Sequence, residues 1–252
     1  MTSSAANWEA TRAASASITI LESVESTNSW LVHKAAVQPL DVVLTMNQTA
    51  GRGRLTRQWV NQAGDGIAFS FVVPGNSSHE ISSPASTWIP LLVGVAVKHS
   101  VRSIGVEDAS IKWPNDVLVN GQKLAGILCE VRTDGSVVAG VGINVSFAGD
   151  RPDARAVSLA ELVPDARARL DDVVATVIGF LSELIGADHS HQRDSVLAAM
   201  DTIGRDVEVV GRDGGRTRGH ATGLDESGAL IVRMAYGSTF AVASSDVEHL
   251  YQ

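Results

Sequence analysis

Gln48–Trp59, Q-T-A-G-R-G-R-L-T-R-Q-W, sets two glycines and three arginines (Gly51, Arg52, Gly53, Arg54, Arg57) in one short segment of an acidic chain. Glycine lets backbone N–H groups close on a ligand, and arginine offers a planar fork of donors matched to carboxylate or phosphate. The chemistry such a segment suits is anion binding. On its own, G-R-G-R also fits a solvated basic loop; its neighbours raise the stakes. In Lys112-W-P-N-D the proline restricts Trp113 and turns the chain sharply. Lys123 follows Asn120-Gly121, a strong hairpin signal, and opens K-L-A-G-I-L. Ser26, Thr27 and Asn28 are good helix N-caps. Taken alone, the trio reads as a helix start; its alternative is a set of side chains and free N–H groups facing a small polar ligand. Nothing reads as an activated nucleophile. There is no G-x-S-x-G, and Cys129 lies in an apolar run where a structural role is expected. His189 and His191 have no cysteine or carboxylate pattern around them and read as solvated.

These residues need a scaffold, and the composition allows one. The chain has 252 residues, 44% hydrophobic and 19% charged, which suits a globular catalytic domain with a small appendage. Its net charge of -8 argues against a general nucleic-acid binder, which needs a basic face. A single cysteine excludes an internal disulfide framework and fits a reducing compartment. Trp88–Val97, the longest largely apolar run, is too short for a bilayer, and the first twenty residues carry no signal-peptide pattern. A soluble cytoplasmic protein is the expectation.

Along the chain, residues 1–17 are Ala/Ser/Thr-rich and read as a flexible N-terminal arm or a poorly packed helix. Ser17–Glu22 alternates as a first strand, and a helix follows Ser26–Asn28. Asp41–Met46 and Gly66–Pro74 read as buried strands, the second ended by Pro74-Gly75. Glu80–Ser86 reads as a linker, and a long helix starts between Ser83 and Pro90. Val117–Val119, Leu124–Val131 and Val137–Val145 make a meander through Asn120-Gly121 and Thr133-Asp134-Gly135. Asp171 is placed as the cap of an amphipathic helix through Ile185, and a second amphipathic segment runs near Val196–Met200. From Ile203, four or five short strands with glycine turns fit a small barrel.

Glu25-S-T-N, Gln48-T-A-G-R-G-R, Lys112-W-P-N-D, Lys123-L-A-G-I-L and Gly140-V-G-I-N, in that order, resemble the catalytic domain of biotin protein ligases, the biotin–[acetyl-CoA carboxylase] ligases. The match covers roughly residues 20–147, and the terminal strands more loosely. The resemblance implies an α+β fold: a mixed, largely antiparallel sheet with packed helices, class II synthetase-like, in residues 18–200, then a C-terminal SH3-like β-barrel in 201–252. Too few residues precede the first strand for the winged-helix DNA-binding module many members carry, so the monofunctional type is expected. Two departures stand out: Leu55-Thr56 where a further glycine is usual, and Ser244-Ser245-Asp246-Val247 where a glycine is common.

The chemistry the resemblance implies is attack of biotin's carboxylate on ATP, giving biotinyl-5′-AMP, then transfer to a lysine of a biotin carboxyl carrier domain. Lys123, Arg52 and Arg54 are then the catalytic cations, neutralising two anions that repel. Ser26, Thr27, Asn28, Gln48, Arg52, Gly53, Arg54 and Lys123 match biotin-pocket positions. Arg54, Trp59, Lys112, Trp113, Asn115, Asp116, Lys123 and Asn144 match the ATP side, Trp59 standing evenly between cover and core. Asp116 is the candidate Mg²⁺ ligand, with a capped structural turn as its alternative. The arginine loop is expected to be mobile when empty through mutual repulsion, and ordered by ligand anions. Expected partners are biotin, ATP and the carrier domain, with neither DNA nor membrane, for a monomer or weak homodimer. The rival readings are a lipoate protein ligase using the same adenylation, and an anion- or nucleic-acid-binding module.

Overall fold

The computed structural model describes residues 8–54, 57–59, 62–74, 88–149, 151, 153–211, 214–243 and 245–250. The expected Pro74-Gly75 turn, the linker at 80–86 and the Leu55-Thr56 departure lie wholly or partly outside them. In chain order the elements are α1 (Glu9–Ala14), β1 (Ser17–Leu21), α2 (Thr27–His33), β2 (Asp41–Thr45), β3 (Gly51–Arg52), β4 (Gln58–Trp59), β5 (Gly66–Val72) and α3 (Trp88–Ser103). The meander follows as β6 (Ala109–Lys112), β7 (Asp116–Val119), β8 (Gln122–Val131) and β9 (Val137–Asn144). Then come α4 (Leu159–Leu162), α5 (Leu170–Gly186), α6 (His189–Ala199), and β10 (Asp206–Val210), β11 (Arg216–Leu224), β12 (Leu230–Arg233), β13 (Thr239–Val242) and β14 (Asp246–His249).

A seven-stranded sheet ordered β1-β2-β5-β9-β8-β7-β6 carries the site. β1 and β2 run parallel; the other neighbours are antiparallel. Strand alternation gives the sheet two different faces. Leu44, Phe69, Val141 and Ile127 stand on one face with Val42, Phe71 and Ile143, all in the main core. There α3 packs on β6, β7 and β8, α5 packs on α3, and α1 on α5. Pro90 sits in α3's first turn, where its missing N–H costs nothing. The opposite face is apolar only at one end, where Leu31 of α2 covers Val43, Val72 and Val138. Beyond that end most of its residues are small, Ala68 and Ser70 on β5, Gly140 and Gly142 on β9, Gly126 on β8, with Leu128 beside Gly140.

Residues 8–17 correct the expectation of a flexible arm, whose first seven residues lie outside the described ones. Trp8 is buried in the main core, and the N–H groups of Ala10 and Thr11 donate to the Asp171 carboxylate at 3.0 and 2.8 Å. Asp171 therefore caps α1 from a distance; it lies inside the first turn of α5, not at its N-cap, which is Arg169. The C-terminal strands form one antiparallel sheet, β13-β12-β11-β10-β14. Among the described residues no ladder joins β13 to β14, so the expected barrel is seen as a five-stranded antiparallel sheet without a closing pair. It docks on the rest of the chain through Trp88 Nε1 to Glu226 O (2.7 Å), Trp113 Nε1 to Gly228 O (3.1 Å) and Arg193 Nη2 to Leu224 O (2.9 Å). Among the described residues no helix is long and apolar enough to cross a membrane.

Candidate active site

A cavity of about 350 Å³ opens over the small-residue end of the sheet, lined by the arginine loop, the K-W-P-N-D turn, Lys123, the 153–155 segment and residues 246–248 of the terminal sheet. Its floor exists because side chains are absent. A Cβ on Gly140 would lie 2.1 Å from Asn28 Oδ1, and one on Gly142 would lie 2.4 Å from the Trp59 ring. Gly126 is nearly as tight, 3.1 Å from that ring.

The wall is the start of α2. Ser26 is its N-cap, its hydroxyl accepting from Ser29 N–H at 3.3 Å. Gln48 Oε1 accepts the backbone N–H of Thr27 at 2.9 Å and lies 3.2 Å from the Thr27 hydroxyl. Asn28 Nδ2 donates to Leu128 O and to Glu130 Oε2, both at 2.9 Å. Ser70, fully buried behind them, places its hydroxyl 2.7 Å from Thr27 Oγ1 and 2.6 Å from Asn28 Oδ1. The trio thus both begins the helix and lines the cavity, and its polar atoms are held rigidly by partners.

The cover is the β3–β4 hairpin. Gly51 must be glycine, since a Cβ would sit 2.3 Å from Trp59 O and 2.5 Å from Gln48 Nε2. Gly53 N–H donates to Arg57 O at 2.7 Å, and Arg57 N–H to Arg54 O at 3.0 Å. Arg52 Nη2 meets Glu130 Oε2 at 2.6 Å, and Arg57 pairs with Asp246 on β14. The expected repulsion among the arginines is therefore offset by carboxylates drawn from two other elements. Arg54 lines the cavity. Trp59 belongs to the cover: its indole lies over Gly142 and Gly126, and Lys123 Nζ stands 5.7 Å from the ring centroid.

Lys123 stands at the mouth. The turn before it has Asn120 at φ 50° and Gly121 at φ 76°, the left-handed pair a two-residue hairpin requires. Its ammonium lies 2.7 Å from Asp116 Oδ1, and its backbone is pinned on both sides: Lys123 N–H to Arg155 O at 2.7 Å, Val157 N–H to Lys123 O at 3.0 Å. Lys112 and Asn115 line the same cavity, and the Asn115 amide donates to Ile127 O at 2.8 Å. Burial pushes the Lys112 ammonium below its usual range, with Asp116 pulling the other way.

One expected site residue lines the cavity only from behind and another sits outside it. Trp113, before a cis Trp113–Pro114 bond, borders the cavity but is itself buried, and it spends its indole N–H on Gly228 O. Asn144 is buried and does not line the cavity; its amide donates to Lys123 O and Val157 O, both at 3.1 Å. It positions Lys123 from behind. Four participants had not been anticipated: Ser70, Glu130, Arg155 and the Asp246–Glu248 strand. Ser70 had a signal, a lone hydroxyl in the otherwise apolar run G-I-A-F-S-F-V-V. The Cys129 thiol, pushed up to about 12 by burial and by Glu130, is inert at neutral pH, and His189 and His191 are exposed.

The Biotin/lipoate A/B protein ligase family matches residues 20–147, and the Biotin protein ligase C terminal domain matches residues 202–250. The Biotin--[acetyl-CoA-carboxylase] ligase of Mycobacterium tuberculosis is 35% identical over 240 residues, covering 89% of this chain and 86% of that protein. The Bifunctional ligase/repressor BirA of Bacillus subtilis is 28% identical, over 91% of this chain and 72% of its own length. The solved structure of biotin protein ligase from Aquifex aeolicus in complex with biotin and ATP aligns with a TM-score of 0.77 and 25% identity, covering 93% of this chain and all of that one. By residues, fold and cavity alike, the chain belongs to the Biotin/lipoate A/B protein ligase family.

Proposed function

We propose that this chain is an ATP-dependent biotin protein ligase. In the first step a carboxylate oxygen of biotin attacks the α-phosphorus of ATP, the bond to the β-phosphate breaks, and pyrophosphate leaves with the electron pair. In the second, a lysine amine of a biotin carboxyl carrier domain attacks the acyl carbon, the proton is lost, and AMP departs. One observation carries the reading: a cavity of about 350 Å³ on a glycine floor, with an ammonium group at its mouth and an arginine hairpin over it.

The residues divide the work by chemistry. The rigid polar wall of Ser26, Thr27 and Asn28, braced by Gln48 and Ser70, suits a small ring carrying both donors and acceptors. Lys123, Arg52 and Arg54 lower the repulsion between carboxylate and phosphate in a partly desolvated space. Asp116 orients the Lys123 ammonium. Trp59 and the hairpin shield the mixed anhydride from water. Positioning and electrostatics suffice without a covalent enzyme intermediate.

Magnesium is the usual companion of ATP, and it is bound by one or two carboxylates with the phosphate oxygens. Asp116, which lines the cavity and pairs with Lys123, is the carboxylate that would hold it there.

The reading is tested by incubating the protein with ATP, Mg²⁺, an apo carrier domain and either labelled biotin or labelled lipoate. Label from biotin alone, as an amide on one carrier lysine, is expected. Label from lipoate would favour the sister activity, and none from either would reject adenylation altogether.

A further inference from the structure

Among the cations around the cavity besides Arg54, two sets can be told apart. Arg52, Arg57 and Lys123 each face a carboxylate, Glu130, Asp246 and Asp116 respectively. Lys112 and Arg155 line the same space with no ion-pair partner among the described residues. Arg155 is nonetheless firmly based. Its N–H donates to Asp153 Oδ1 at 2.8 Å, its carbonyl accepts Lys123 N–H at 2.7 Å, and Ala156 forms a parallel bridge with Lys123. The strand that presents the ammonium therefore also fixes the root of this guanidinium. Beyond burial, the charges of Arg155 and Lys123 both push the Lys112 ammonium down, which places three like charges around one space with Asp116 and Glu248 as counterweights. Such a cluster is costly unless a multiply charged anion occupies it.

We infer that Arg155 binds the pyrophosphate leaving group of the adenylation step and takes no part in the transfer to the carrier. The inference rests on the ligase reading above. As the Pα–O bond breaks, negative charge collects on the departing β- and γ-phosphates, and a guanidinium fork can hold two of their oxygens. In the transfer step the leaving group is AMP and pyrophosphate is gone, so this side chain has nothing to stabilise. The two half-reactions thus give it different duties, which a merely structural arginine would not have.

The test uses the full chain with Arg155→Ala and Arg155→Lys. Biotin-dependent exchange of labelled pyrophosphate into ATP reads the first half-reaction. Single-turnover transfer from synthetic biotinyl-5′-AMP to the apo carrier reads the second. Loss of one charge-assisted contact should slow adenylation by roughly 10- to 100-fold in Arg155→Ala and raise the KM for pyrophosphate. Arg155→Lys should recover part of it, and transfer should stay within about twofold of wild type in both variants. Unchanged exchange, or an equal fall in both half-reactions, would overturn the inference. A wild-type chain that makes no adenylate would overturn the ligase reading itself, and this inference with it.

Discussion

The glycine floor makes two neighbouring substitutions behave differently. In Gly140→Ala the new methyl falls 2.1 Å from Asn28 Oδ1 and 2.8 Å from its Cγ, so the Asn28 side chain must leave. It takes with it three hydrogen bonds: to Leu128 O, to Glu130 Oε2 and with the Ser70 hydroxyl. Leaving buried polar groups unmatched costs about 1–3 kcal/mol each, so roughly 3–9 kcal/mol in all, a large share of a domain's stability. The melting temperature should fall by on the order of 10 °C. In Gly142→Ala the methyl's nearest neighbours are all in the indole of Trp59, at 2.4 Å and beyond, and Trp59 lies on the two-stranded β3–β4 hairpin, outside the main sheet. That costs under about 1 kcal/mol of global stability but opens the cover. Calorimetry and limited trypsin digestion after Arg52, Arg54 and Arg57 separate the cases: Gly140→Ala should melt early, while Gly142→Ala should melt near wild type and be cut much faster. Equal melting temperatures, or early melting of Gly142→Ala alone, would refute the assignment of these glycines to wall and cover.

Glu130→Gln keeps an acceptor for Asn28 but removes the charge facing Arg52. With a half-exposed pair worth about 1 kcal/mol at most, spontaneous release of biotinyl-5′-AMP should rise up to about fivefold, and an unchanged rate would show that the pair does not hold the hairpin. His249 is buried beside Thr202, and burial, with Lys112 next in weight, lowers its pKa to about 4. Between pH 6.5 and 4 the unfolded chain binds this proton and the folded one does not, so the stabilisation is complete above pH 6.5 and lost as pH falls. About 2 kcal/mol should be gone by pH 5 in urea titrations, and His249→Asn should flatten the curve between pH 6.5 and 5. A wild-type stability that holds constant over that interval would contradict the burial argument.

What the sequence disclosed was local. Asn120-Gly121 fixed the turn before Lys123, the glycines and arginines of the hairpin were visible as a cluster, and alternation placed the strands. What it hid was made by contacts between distant segments. Asn144 shares a face with Gly140 and Gly142, so its motif membership suggested the cavity, but residues 156–157 pass over it and take its amide. The Trp113 indole N–H is taken by the Gly228 carbonyl in the turn between β11 and β12, and α1 is anchored by a carboxylate about 160 residues away. Glu130 ends a strand with no motif around it. Its partners, Asn28 and Arg52, converge only once β8 lies beside the start of α2 and under the hairpin.

The most direct measurement is rapid-quench formation of biotinyl-5′-AMP by wild type and Lys123→Ala, with biotin and ATP saturating and folding checked by melting temperature. The account requires wild type to form one adenylate per chain and the variant, still folded, to do so about 100- to 1,000-fold more slowly. Equal rates would mean that this ammonium does not join the two anions, and the proposed chemistry would have to be abandoned.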